Sequence, residues 1–198
     1  VGSLLILLPL LWLKRRSGKR SGRLATGTYF LLLGITYMLL EMVLIIKFTH
    51  FLGDPILSAG GVVSAFLVFS GLGSLVSRRL FHNPRRAITI AVLGIAAFAI
   101  AYVFILDGLF AVTAAWPTAT RFGLAVLLAS PLAFLMGWPF PNGLTCVERG
   151  RPTLIPWAWG VNGVASVAGP PVGVLLAVAS GLSTVMPLAA ILYGCAGL

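Results

Sequence analysis

A single carboxylate, Glu41, lies well inside a long apolar run of this 198-residue chain, in the segment GITYMLLEMVLIIKFTH. An ionised side chain in the middle of a membrane costs about 3 kcal/mol, so it needs a protein partner or access to water. Tyr37 lies four residues earlier on the same helical face, where its hydroxyl can reach the carboxylate. Two interpretations stay open: a hydrogen-bonded Glu41 that fixes helix packing, or a site for a proton, a cation or an amine.

A second polar position, Asn162, lies in the segment LIPWAWGVNGVASVAGPPVG, which is rich in Gly, Ala and Ser. Its amide can hydrogen-bond a neighbouring helix, or it can belong to the same candidate site as Glu41 and Tyr37. The preceding Trp157 and Trp159 are predicted to be belt residues at the membrane interface, where one edge of the indole meets water.

The same segment places a small residue at every fourth position, which predicts a smooth ridge along one face of a helix. Membrane helices approach each other closely along such ridges. Pro170 and Pro171 cannot donate to the carbonyls of Ser166 and Val167, so they predict an interruption of this helix in the membrane. The interruption is either a structural kink or part of a site. The predicted ridge contains Ala165, Gly169, Gly173, Ala177 and Gly181.

Other reactive residue types form no recognisable site. Cys146 and Cys195 occur without a CxxC motif or a histidine at ligand spacing, so neither a disulfide nor a metal site is predicted. His50 and His82 fall on opposite sides of the predicted membrane. The GLGS stretch at 71–74 lies inside an apolar helix instead of following a strand, so it is not a dinucleotide-binding fingerprint. No cofactor is predicted.

The elements that carry these residues are predicted to be membrane spans. The chain is 59% hydrophobic and 9% charged, with a mean hydropathy of +1.05, which predicts an all-α integral membrane protein. We expect a single polytopic domain over residues 1–198, a bundle of about seven transmembrane helices. The first and last are expected to be incomplete parts of a longer protein, because neither has a polar flank at the chain end. The predicted spans are 1–13, 25–47, 58–76, 87–107, 119–137, 157–179 and 183–198.

The net charge of +10 is concentrated in the connections between spans. When successive helices alternate in direction, twelve of the fourteen basic residues fall on one side, which the positive-inside rule makes cytoplasmic. The expected location is the bacterial inner membrane, with lipids and further protein chains as partners and no nucleic acid. The main basic loops contain Lys14, Arg15, Arg16, Lys19, Arg20, Arg23, Arg78, Arg79, Arg85 and Arg86.

Several short motifs occur in a characteristic order: the membrane Glu, then FLG, SGLGS, PFP and PWAWGVNG. In this order the chain resembles the membrane domain of bacterial spermidine-synthase-like proteins, in which a polyamine aminopropyltransferase-like domain is fused to several membrane spans. The resemblance implies that any synthase-like domain lies outside these residues, because the chain contains neither a Gly-rich nucleotide loop nor an acidic aminopropyltransferase motif. The paired prolines of GPPVG depart from the smoother Gly, Ser and Val helix expected of the family.

Two functions are compatible with these features. The first is a non-catalytic membrane domain that anchors a synthase-like domain or docks onto a larger membrane assembly. The second is half of a transporter or permease for polyamines, another cation or a proton-coupled solute, with Glu41 and Tyr37 binding the cation. An intramembrane enzyme would need a His or Asp partner for Glu41, and the sequence offers none nearby.

Overall fold

The structure, a computed structural model, describes residues 20–197. The predicted first span, residues 1–13, and the basic positions 14–19 lie outside the described residues. Of the described residues, 92% are helical and none lies in a strand, so the all-α prediction is confirmed. The helices are α1 (Arg20–Leu52), α2 (Pro55–Leu80), α3 (Pro84–Thr113), α4 (Thr118–Met136), α5 (Pro139–Gly150), α6 (Ile155–Ser180) and α7 (Leu182–Gly197), with a 3-10 turn over Pro152–Leu154.

Five stretches of the described chain are long and apolar enough to cross a membrane. They are α1, α2, α3, the α4–α5 unit, and α6 together with the 3-10 turn. Helix α7 is apolar but shorter. The long apolar helices are those of a polytopic membrane protein, whereas the predicted count of about seven spans is not confirmed. The predicted spans between residues 25 and 179 fall within these helices, except that Gly137 lies just past the end of α4, and the helices extend up to six residues beyond the predicted ends.

Tight turns join the first three helices and set their alternating direction. Gly53, with a φ of +76°, ends α1, and the Asp54 carboxylate then accepts hydrogen bonds from the first N–H groups of α2. Asn83 caps α3 in the same way, and Pro55 and Pro84 follow the two caps. Because the helices alternate, one end of the bundle, the basic end, carries Arg23, Arg78, Arg79, Arg85, Arg86, Arg149 and Arg151.

Helix α1 is the centre of the bundle. Its contact with α6 is the most extensive between two helices of the described chain, and it also packs against α2, α4, α5 and α7. Phe30, Leu40 and Leu44 of α1 are completely buried, together with Phe66 of α2 and Ile95 of α3. Burial of these side chains among helices excludes both water and lipid from the middle of the bundle.

Helices α2 and α4 meet backbone to backbone. A β-carbon at Gly73 would overlap the carbonyl oxygen of Phe134, and one at Gly137 would overlap the carbonyl oxygen of Ser70. Small residues allow such close approach between membrane helices, because association there depends on van der Waals contact. The two glycines therefore fix how α2 lies against the end of α4.

Candidate functional site

A groove of about 540 Å³ opens between α1, α2, α6 and the α4–α5 junction. The Tyr37 hydroxyl lies 3.4 Å from Ser70 Oγ across it, and Ser166 Oγ donates to the Asn162 carbonyl at 3.0 Å. Trp159, at its rim, is 56% exposed. The polar side chains that line this groove, which we call the polar groove, are Tyr37, Ser70, Ser74, Asn162 and Ser166.

Glycines set the width of the polar groove on two sides. A β-carbon at Gly34 would lie 2.6 Å from Ala165 Cβ and 2.9 Å from Asn162 Oδ1, so α1 and α6 are in close contact there. On the other side, Gly137 allows the end of α4 to rest against the α2 backbone. The groove is consequently a product of close helix packing, with neutral hydroxyl and amide groups on its walls.

Two of the three candidate site residues come together, and the third does not. Tyr37 and Asn162 both line the polar groove, whereas Glu41 is absent from its lining and lies one turn further along α1. The hydrogen bond between Tyr37 and Glu41 does not form, because the tyrosine hydroxyl is directed to Ser70 on α2. Glu41 is half-buried.

Three residues of the predicted small-residue ridge lie against α1 of the same chain. Gly169 faces Met38, whose Cβ would lie 2.6 Å from an added β-carbon, and Gly173 faces Leu39. Ala165 and these two glycines are buried, and Ala177 is half-buried.

Gly181 does not belong to the ridge. Its φ of +86° is accessible to glycine, and it ends α6.

The prolines do not divide the helix that contains them. Helix α6 continues from Ile155 to Ser180 through Pro170 and Pro171, so the predicted break is wrong. The ring fixes φ near −65°, which suits a helix, although the two residues lack N–H donors and their rings crowd the preceding turn. Pro171 is exposed and Pro170 half-buried. Neither residue lines the polar groove.

The two tryptophans at the start of α6 differ in their surroundings. Trp157 is half-buried, and the Arg23 guanidinium lies over its ring at 5.2 Å from the centroid. Trp159 packs edge-on against Phe140, with 4.7 Å between ring centroids. Both lie near the basic end, and their place in an interface belt stays a prediction.

Charged residues join helices at the end opposite to the basic end. Lys47 Nζ lies 2.6 Å from Asp107 Oδ1, which links α1 to α3. The Arg121 guanidinium donates to the carbonyls of Leu52 and Ala114, at 2.8 and 3.1 Å. A cation at the C-terminal ends of two helices is favoured by the helix dipoles. Sequence reasoning missed these contacts, although Lys47 and Asp107 lie at nearly equal distances from the ends of two parallel helices.

A buried amide joins α5 to α2 near the basic end. Asn142 Nδ2 donates to Ser77 Oγ at 3.0 Å and to the Trp138 carbonyl at 2.8 Å. Tyr29 of α1 donates to the Pro139 carbonyl at 2.7 Å, close to the same junction. Water is absent from a membrane interior, so these polar groups must find their hydrogen-bond partners within the protein. These residues hold the short helix α5 against the bundle.

Within residues 20–197, no three His, Cys, Asp or Glu side chains are grouped as metal ligands. Comparisons with family models, with curated proteins and with solved structures find no match to this chain.

Proposed function

We propose that this chain is a non-catalytic membrane domain that anchors a synthase-like domain or docks within a larger membrane assembly. The observation that carries the proposal is the use of charged side chains near one end of the helices: Lys47, Asp107 and Arg121 all join one helix to another. Such contacts favour one fixed arrangement of helices. A fixed bundle suits an anchor better than a carrier that must alternate between two states.

Isolation of the native assembly tests this proposal directly. We expect the tagged chain, extracted from its own membrane in a mild detergent, to bring with it a second chain in constant stoichiometry. A double variant with Arg78→Gln and Arg79→Gln, which alters exposed surface charges only, should retain that partner. Recovery of the tagged chain alone, from cells in which it is otherwise stable, would contradict the docking proposal.

The proposed location is the bacterial inner membrane, with the basic end in the cytoplasm. In a chain with Cys146 and Cys195 replaced by Ser, we expect His82→Cys to react with a membrane-impermeant maleimide only after permeabilisation. Ala115→Cys, at the opposite end, should react in intact spheroplasts. Both reporter positions are exposed. The reverse labelling pattern would show that the orientation is inverted.

A second candidate, half of a polyamine or proton-coupled transporter, is favoured by the polar groove. Neutral oxygens from Tyr37, Ser70 and Asn162 could accept hydrogen bonds from an amine, but the lining contains no carboxylate. A desolvated ammonium needs an anionic partner to offset its loss of hydration. Glu41, one turn away, is the nearest carboxylate on α1, so this candidate function depends on that residue.

Glu41→Gln separates the two functions, because it keeps the side-chain shape and removes the charge. For an anchor, we expect the variant to fold with a free energy of unfolding within about 1 kcal/mol of wild type. We also expect no uptake of labelled spermidine and no proton flux in liposomes with either protein. The control is Glu148→Gln, at an exposed carboxylate of α5. Wild-type transport that Glu41→Gln abolishes and Glu148→Gln preserves would overturn the anchor proposal in favour of a transporter.

A further inference from the structure

A second groove, separate from the polar groove, lies between the first turns of α1 and α6 at the basic end. Its volume is about 330 Å³, and its walls are largely apolar, with Leu24, Leu31, Val161 and Val164 among them. A β-carbon at Gly27 would lie 3.1 Å from Trp157 Nε1, so glycine allows the indole to form one side of this groove. The groove therefore has the volume and the apolar lining to hold part of a hydrocarbon chain.

One guanidinium group lines this groove, and a second lies against the neighbouring residue of α1. The Arg23 guanidinium lies over the Trp157 ring, 5.2 Å from the centroid, and Arg23 itself lines the groove. The Arg151 guanidinium lies against Gly22, the residue next to Arg23 in the chain. A β-carbon at Gly22 would overlap this guanidinium, so glycine is needed for the contact. This end of the groove therefore carries positive charge, on the side chain that is best suited to bind phosphate oxygens.

We propose that this groove binds one anionic phospholipid. The phosphate of the lipid lies at Arg23 and Arg151, and one acyl chain follows the apolar walls along α1 and α6. Basic pockets between membrane helices on the cytoplasmic side are suited to such headgroups. Free phosphate would use the two arginines without the apolar walls, and a zwitterionic lipid would carry a choline cation towards them. The charge at this end of the groove and the apolar walls together select an anionic lipid. This site does not depend on the proposed function.

The test uses the full chain, delipidated in a neutral detergent and titrated with phosphatidylglycerol, with phosphatidylcholine of the same acyl chains, or with inorganic phosphate. Phosphatidylglycerol should bind with a measurable Kd and raise the Tm, and the other two should not. Arg23→Gln with Arg151→Gln should weaken phosphatidylglycerol binding on the order of 10- to 30-fold. Arg78→Gln with Arg79→Gln removes the same charge from the same end and should leave the Kd unchanged.

A further variant tests the apolar walls. Val164→Trp should fill the groove and reduce phosphatidylglycerol affinity by about 10-fold. If the double arginine variant does not fold, the single change Arg151→Gln, at an exposed side chain, takes its place. The proposal is overturned if both double variants lose affinity equally, since binding would then reflect overall charge. Equal binding of phosphatidylcholine, or equal stabilisation by inorganic phosphate, would also overturn it.

Discussion

Gly73→Ala should destabilise the bundle by about 1–3 kcal/mol, although it adds a single methyl group. The added β-carbon would overlap the carbonyl oxygen of Phe134, and a backbone atom cannot move aside without displacing α4. Separation of α2 from α4 would also loosen the Gly137 contact with Ser70 and widen the polar groove. Thermal unfolding in a mild detergent, followed by size-exclusion chromatography and circular dichroism, measures the loss.

Gly71→Ala is the matched control, because Gly71 lies two residues away in the same GLGS stretch. Nothing lies within 4 Å of a β-carbon at Gly71, and the residue is exposed. Alanine is favoured over glycine in a helix by about 1 kcal/mol, so this variant should be as stable as wild type or slightly more stable. Gly73→Ala should therefore lower the Tm, whereas Gly71→Ala should leave it unchanged or raise it slightly. A shift of the same sign and size in both would show that α2 and α4 are not in backbone contact.

Asp107→Asn should destabilise the protein more than Lys47→Met, although each change removes one member of the same ion pair. The Lys47 side chain is 9% exposed and that of Asp107 is 69% exposed. Loss of the carboxylate leaves a buried ammonium without an anion, whereas loss of the ammonium leaves a carboxylate that water can solvate. We expect a cost of about 2 kcal/mol for Asp107→Asn, below that of a fully buried pair because Asp107 is exposed. Lys47→Met should change stability by about 1 kcal/mol or less.

A double-mutant cycle measures this asymmetry. It compares the free energies of unfolding of the wild type, the two single variants and the double variant. The double variant should recover most of the stability that Asp107→Asn loses, since methionine leaves no buried charge to compensate. Equal losses for the two single variants would show that the ammonium is hydrated in the folded protein.

The sequence was sufficient to predict the long apolar helices, because each of them is an apolar run that ends at a polar or glycine-containing turn. Gly53 and Asp54 illustrate this, since a positive φ and a capping carboxylate end one helix and begin the next. The short helix α5 was not predicted, because Pro139–Gly150 is less apolar than the spans on either side of it. The ridge of α6 was also predictable from its four-residue spacing. Its partner was not, because periodicity identifies the face of a helix but not the helix that covers it. The face that Gly169 and Gly173 present is covered by α1.

Polar pairs between distant segments were the least predictable part of the site. Spacing put the Tyr37 hydroxyl within reach of Glu41, four residues away on its own helix, but Ser70 on α2 accepts the bond instead. Asn142 and Ser77 are 65 residues apart, and nothing in either local sequence marks them as partners.

The predicted break at Pro170 and Pro171 was wrong for another reason. Whether two prolines interrupt a helix depends on the packing around that helix as well as on the missing N–H donors, and α6 continues through both.

The Lys47–Asp107 pair orders the events of biosynthesis. Lys47 is translated 60 residues before its carboxylate partner, which corresponds to about 3–12 s at a rate of roughly 5–20 residues per second. During that interval α1 and α2 have emerged, and the Lys47 ammonium must extend towards the membrane surface to remain hydrated. Only when α3 arrives does the side chain gain its anion and take its place inside the bundle. Insertion of α3 is thus the step that commits α1 to its final depth.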